Sequence, residues 1–507
     1  MIDCGKEPGK SVSEKFAEPP WSRTSAEWLQ TDGELEEDHL ARIIDRGVAH
    51  LDLTPLLQSY SGRGSKPQRP DLMVKIALFE FHRGRRSPAQ WFLDLKENHV
   101  LKWLGMGIRV ARSVWYQFAF RIRRFLDAWN QQILQLAQEL GHTSASRGAL
   151  DGTLVEAHAS RHRLLNQGQM LSRHELLTAA TQADQQGTTP AEQPAWLAKT
   201  PQTRLRQQAQ YERAQHILDE RLAENRRRLP SQRQEEKHIR ISVVDPEAAL
   251  GKDKLKVFRP LYNVQYVRDL DSNYILAYGV FARSSDSGTL VPMMERTKQM
   301  TGRWLDKLLA DAGYISILDL ADARQMEIDL YGPWKENDYS AKKSAKKGPK
   351  LITKEQFTWD EQAGEYRCPQ GQRLTQRSSQ NRKCSLGRTH KIFLYEADAG
   401  TCGECPLKQQ CCPKSKSGRH VNRSEHEALI EAHRRKMETP EAKELYKLRG
   451  QTVETSFADS KQHRNFRRVN GRGLWSATMH AAVTVLVHNL KQLVGSAFAA
   501  ASPPRTS

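Results

Sequence analysis

The chain has 507 residues, 38% apolar and 27% charged, with a mean hydropathy of −0.70, which excludes a globally disordered polymer and leaves room for two or more folding units. Lys and Arg total 78 against 59 acidic residues, a formal charge of +19, which favours a polyanionic partner, nucleic acid first. The opening MIDCGKEPGKSVSEKF has no apolar secretory core, and AAVTVLVHNLKQLVGSAFAA is interrupted by His488, Asn489 and Lys491, so a cytoplasmic protein without a membrane helix is expected.

In chain order, residues 1–25 read as a flexible polar arm. Residues 26–142 form an all-helical N-terminal domain. Within it, Ser87 caps a helix that opens on Pro88 and runs through SPAQWFLDLKENHVLKWLGMG, and one long helix covers WYQFAFRIRRFLDAWNQQILQLAQELG up to Gly141. Arg83, Arg85, Arg86, Arg109, Arg112, Arg121, Arg123 and Arg124 give this domain a basic character. They suit either a DNA contact of the helix-turn-helix kind or a solvated face.

Residues 143–495 change pattern. RGALDGTLVEAH, HIRISVVD, NVQYVRDL and NYILAYGVFA read as strands of a mixed sheet, and TLVPMMERTKQM, KLLADAGY and EIDLYG continue as helix, strand and strand, an α/β alternation. Two insertions interrupt it. The polar stretch 161–236 reads as an exposed helix or helical hairpin, and 338–420 opens with the basic loop AKKSAKKGPK and carries most of the cysteines. The last large element is mainly helical, and 496–507 forms a disordered tail.

Three acids stand out. Asp151 lies in ALDGTLVEA on an expected central strand, beside a glycine that allows close approach of a ligand. Asp311 ends the apolar run LLA and is followed by Ala312 and Gly313, at the carboxyl edge of a strand where open α/β sheets bind ligands. Glu454 and Lys461 are seven apart, two helical turns, in a segment crowded with Arg449, Arg464, Arg467 and Arg468. Taken singly, Asp151 and Asp311 are equally ordinary strand-end or turn aspartates, and the basic segment an ordinary solvated helix. Together they can supply the hard oxygens by which two Mg²⁺ or Mn²⁺ ions, about 4 Å apart, clamp a phosphodiester.

The seven cysteines are odd in number, and six fall from Cys368 to Cys412, so a metal site in a reducing compartment is expected rather than a disulfide framework. CGEC pairs Cys402 with Cys405. With Cys368 and Cys411 they would close a structural Zn²⁺ site, in which Cys384 or Cys412 can replace one ligand. Reduced, partly buried thiols are the alternative.

DGTLVEAHAS, SVVDPEAALGKDKLKVFRPLYNVQ, LLADAGY and the Tyr446–Lys461 segment, in this order, resemble insertion-sequence transposases of the DDE type. The resemblance implies an RNase H-like mixed sheet with flanking helices, a catalytic triad of Asp151, Asp311 and Glu454 holding two Mg²⁺, and a cysteine cluster between the second aspartate and the glutamate. It implies double-stranded DNA, element ends and target, as the partner of a homodimeric synapse associated with the nucleoid. The family's Tyr-Arg-Glu-Lys pattern falls on Tyr446, Arg449, Glu454 and Lys461, which with Arg464, Arg467 and Arg468 would contact DNA. Here the Arg449 to Glu454 gap is one residue longer than the family's, and on an unbroken helix that turns Arg449 by about 100°. Two other functions share these features: a DNA-binding protein with structural acids, and a metal-dependent nuclease without strand transfer.

Overall fold

A computed structural model describes residues 15–228, 230, 233–253, 255–334, 351–383 and 388–501, with the backbone alone for Glu454 and 496–501. The basic loop 341–350, Cys4, Cys384 and the last six residues lie outside the described residues. The fold is α/β with flanking helices. It divides into two compact units, the first made of 1–285, 295–303 and 450–507 and the second of 286–294 and 304–449.

In the first unit the N-terminal helices gather around the helix Leu474–Ala501. Its run AAVTVLVHNL is apolar on nearly every side, so it becomes a core helix. Val483, Leu486, Val487 and Leu490 are buried. An alanine Cβ at Gly47 would stand 3.0 Å from Leu490 Cδ2, so only glycine lets the helix Leu40–Val48 approach without a shift. Buried Asn130 donates to Leu126 O at 2.8 Å and Ala482 O at 3.1 Å, tying the helix Leu126–Glu139 to the C-terminal one.

Ser87 caps Pro88–Glu97 through a capping box with Gln90. That helix stops at Asn98, whose side chain caps a second, His99–Leu104, so the expected single helix is two. The expected long helix to Gly141 is also two, Arg112–Ile122 and Leu126–Glu139. Between them the chain tightens, with Phe125 N donating to Ile122 O at 2.9 Å. This bend sets Phe125 against Trp129, ring centroids 6.0 Å apart.

The sheet of this unit centres on β5 (Phe258–Asp269), antiparallel to β1 (Arg147–Glu156) on one side and to β4 (Ala249–Lys252) and β6 (Ile275–Phe281) on the other. The segment HIRISVVD, expected as a full strand, contributes only β3 (Ile241–Ser242), paired with β2 (Leu164–Leu165) away from β5. Its alternation serves a different packing. Ile241 is buried against the hairpin of helices Gln167–Gln185 and Pro201–Arg227, with Met170, Leu177, Tyr211 and Leu218. The hairpin thus has an apolar core of its own, and Arg204, paired with Asp184, closes its turn.

In the second unit, β7 (Lys307–Leu309) and β8 (Asp329–Tyr331) pair in parallel. A five-stranded antiparallel sheet follows, in the order β13 (His420–Ser424), β12 (Thr389–Ala397), β11 (Arg373–Lys383), β10 (Glu365–Arg367) and β9 (Thr358–Asp360). Trp359, Tyr366 and Tyr395 form its aromatic centre, and the Arg423 guanidinium lies 3.9 Å from the Trp359 ring. No helix among the described residues is long and apolar enough to cross a membrane.

Glu80 is fully buried, and burial with the Asp94 carboxyl beside it lifts its pKa from 4.5 to about 8, against the pull of Arg83 and Arg85. A carboxyl raised in the folded state binds protons more tightly there, so its contribution is complete below pH 4.5 and is lost as pH rises through about 8. Glu80→Gln should therefore gain in melting temperature over the parent as pH goes from 6 to 9, and parallel curves across that range would refute the assignment.

Candidate active site

The register of β1 on β5 sets Asp151 opposite Tyr266 and Thr153 opposite Val264. Directly opposed residues project from one face of a sheet, as do residues two apart, so Asp151, Thr153, Tyr266 and Arg268 share a face. Over it lies the part of the helix Pro440–Gln462 that follows Gly450. Phe457 stacks on Tyr266, with centroids 4.7 Å apart and rings within 9° of parallel. Arg268 donates to Ser456 Oγ at 2.5 Å, and Lys461 Nζ donates to Thr153 Oγ1 at 2.5 Å and Leu154 O at 3.1 Å. Burial lowers Arg268 to about 10, which leaves it a cation at neutral pH.

Asp151 is half-buried, and its Oδ1 accepts from Gly152 N at 2.9 Å. Glu454 belongs to the same helical segment, one turn before Phe457 and two before Lys461, and its side chain lies outside the described residues. Asp311 belongs to the other unit, exposed just after β7, where its Oδ1 accepts from Ala312 N at 2.6 Å and its carbonyl from Tyr314 N at 3.0 Å. Among the described residues no three His, Cys, Asp or Glu side chains group as a metal site.

The helix runs through Gly450 without interruption. Arg449 is therefore turned roughly 140° from Glu454 about the axis, and Tyr446 roughly 80°. Arg464 is engaged inside the chain, with Asp459 at 3.1 Å and the carbonyl of His82 at 2.9 Å. Arg467 and Arg468 are exposed. Their backbone extends the end of β1: Glu156 N donates to Arg467 O at 3.0 Å and Val469 N to Glu156 O at 2.8 Å. Arg86 donates to the carbonyl of Arg468, and burial lowers its pKa to about 10. Tyr266, Arg268, Thr153 and Arg86 were not singled out in the sequence for this site. The alternation in NVQYVRDL announces the faces of a strand and is silent on what covers them.

Cys368, Cys402 and Cys411 pack against one small core with Phe357, Tyr366 and Tyr395. Cys368 opens a tight turn, its N–H donating to Gln372 O at 2.9 Å and its carbonyl accepting from Gly371 N, a residue at φ 75. The Cys412 thiol hydrogen-bonds with those of Cys402 and Cys411. Burial raises both of the latter, Cys411 to about 12.

Residues 367–494 match the family described as Transposase DDE domain. That span contains Glu454, Lys461 and the five described cysteines and ends before Leu474–Ala501 is complete, while Asp151 and Asp311 lie upstream of it. No curated protein matches the chain.

Phe457→Ala removes the ring that seats the helix on Tyr266. It should cost about 3–5 kcal/mol in denaturant unfolding, whereas Phe457→Leu should cost less than half of that. Equal losses for the two would mean that the stack does not anchor the helix.

Proposed function

We propose that this chain is a DDE transposase with an RNase H-like catalytic domain, Asp151, Asp311 and Glu454 being its triad. The reading is carried by one conjunction. The transposase-domain match spans Glu454 and Lys461, and Lys461 is bonded to Thr153, two residues from Asp151 on the same strand face.

Three carboxylates form a hard oxygen donor set, the type that Mg²⁺ or Mn²⁺ takes in preference to thiolate or imidazole. A pair of such ions, when bound, polarises the scissile phosphodiester and stabilises the attacking and leaving oxygens. The reaction is two in-line displacements at phosphorus. Water attacks at the element's end, the bond from phosphorus to the 3′ oxygen breaks and a 3′-hydroxyl is freed. That hydroxyl then attacks a target phosphodiester, and an equivalent 3′ oxygen leaves. Lys461 keeps Thr153 and the strand end fixed beside the helix, so that Asp151 and Glu454 are held on rigid elements. Arg467 and Arg468 offer exposed guanidinium groups to phosphates, Tyr446 and Arg449 would contact DNA from the helix that carries Lys461, and Arg464 is held by Asp459 and the His82 carbonyl. A homodimer would hold two element ends in one synapse, in the nucleoid.

Asp311→Asn should abolish Mg²⁺-dependent nicking of a duplex carrying the terminal repeats that flank the gene, while duplex binding stays within about twofold. Nicking by the variant at the parental rate removes Asp311 from the triad. Nicking by the parent that never yields a joined product makes the protein a nuclease, and binding without either makes it a DNA-binding protein.

Cys368, Cys402, Cys405 and Cys411 would hold a structural Zn²⁺. Cys368, Cys402 and Cys411 pack on one small core, which brings thiols from separate segments of the chain to it. The purified protein should contain about one zinc per chain, and Cys402→Ser should lose it together with a large part of the folding energy of the five-stranded sheet, on the order of several kcal/mol. A zinc-free protein with an unchanged melting curve after Cys402→Ser disposes of the site.

A further inference from the structure

Arg268 is a buried cation, 6% exposed, and it forms no ion pair with a carboxylate among the described residues. Asp269, the next residue along β5, faces the other way in the strand and is taken by the hydroxyls of Thr143 and Ser272, each at 2.5 Å. The guanidinium reaches two acceptors. Nη1 donates to the buried Ser456 Oγ at 2.5 Å and Nη2 to Asn273 Oδ1 at 2.7 Å, while Nε has no acceptor.

Asn273 is itself tied to the C-terminal helix. His488 Nε2 donates to its carbonyl at 2.7 Å, and the buried side-chain amide of Asn489 pairs with both the N–H and the carbonyl of Ile275, each at 2.9 Å. A line of bonds therefore runs from the segment that bears Glu454, through Arg268 and the turn between β5 and β6, to the helix Leu474–Ala501.

We infer that Arg268 is a positioning residue for the proposed metal-binding acids: by holding Ser456 it stops the part of the helix after Gly450 from rolling on the sheet, and so sets the place of Glu454 relative to Asp151. The inference rests on the proposed triad for the identity of what is positioned. The lever arm comes from the helix itself.

Phe457 meets the sheet at Tyr266, and at 3.6 residues per turn Lys461 and Glu454 follow at about 40° and 60° to one side of it, with Ser456 at about 100° on the other. The aromatic stack is a single pivot. Lys461, on Thr153, resists a roll from the flank that carries Glu454, through a flexible stem. Arg268 resists from the opposite flank through a rigid plane held at both ends, with charge-assisted bonds about twice as strong as neutral ones. A roll of about 20° moves a group at the outer radius of a helix, about 5.5 Å, by about 2 Å. Groups that share metal ions must be held to within about 0.5 Å, so the bond to Ser456 decides whether the acids stand in place. A neutral amide would join Ser456 to Asn273 without burying a charge, and would do so with weaker bonds.

Calorimetric titration of the full-length protein with Mn²⁺, beside nicking kinetics, tests this. Arg268→Lys keeps the charge and loses the fork, and Ser456→Ala removes the acceptor. Each should weaken Mn²⁺ binding by about tenfold and lower the nicking kcat by a similar factor, with the KM for duplex DNA within about twofold of the parent. The double variant should be no worse than the worse of the two, because both changes break one bond. Should Arg268→Lys fail to fold, Ser456→Ala decides alone. Unchanged Mn²⁺ binding, losses that add in the double variant, or a loss confined to KM overturn the inference. A parent that takes up no Mn²⁺ removes the triad, and the inference with it. Weakened Mn²⁺ binding by both variants of a protein that never nicks DNA keeps the role of Arg268 and rejects the transposase reading.

Discussion

The seating of one helix on one strand pair governs the first unit. Tyr266 against Phe457, Arg268 against Ser456 and Lys461 against Thr153 fix its position along β1 and β5 at three points. The strand partners must be in the observed register for this to work. A slip of a single residue between β1 and β5 would send Asp151 and Thr153 to the opposite face and leave Lys461 without its acceptor. The polar contacts at the two ends discriminate between registers, and the aromatic stack between them supplies the burial.

A second tie secures the elements behind that face. The segment Asp245–Ala248 is met from three directions. Asp245 accepts from Tyr262 OH at 2.5 Å and from Gly473 N at 3.1 Å, and Glu247 accepts from Leu474 N. Arg221 of the hairpin donates to the carbonyls of Pro246, at 2.8 Å, and Ala248, at 3.1 Å. The buried Asp245 carboxylate would be expensive without these donors. Glu247 also brings negative charge to the start of the C-terminal helix, where the helix dipole favours it. Sheet, hairpin and C-terminal helix are thereby joined through a single short stretch of chain.

The two long insertions are stabilised by different means. The hairpin is built from a very polar sequence, yet its few apolar residues recur at helical spacing and meet in a core with Ile241. The cysteine-bearing segment is a sheet around Trp359, Tyr366 and Tyr395, and much of β11 is exposed, with little apolar surface of its own to bury. A small sheet of that kind has a small core to hold it, and Cys368, Cys402 and Cys411 pack against that core.

Much of this protein was legible in its residues. The charge, the strand around Asp151, the turn at Asp311, the helical setting of Glu454 and Lys461, the cap at Ser87 and the cysteine spacing all follow from local chemistry, since periodicity, capping and turn preferences act within a few positions. Helix boundaries did not follow: the breaks at Asn98 and at 123–125 arise because each half must aim its apolar stripe at a different neighbour. The fate of HIRISVVD did not follow either, because alternation cannot say whether a strand's partner is a sheet or a pair of helices. The face shared by Asp151, Tyr266 and the helix, the retirement of Arg464 into contacts with Asp459 and His82, and the line of bonds from Ser456 through Arg268 and Asn273 to His488 were decided by tertiary structure alone. Each depends on residues more than two hundred positions apart, or on a chain reversal, and the proximity that makes them a site comes only from the packing of the elements that carry them.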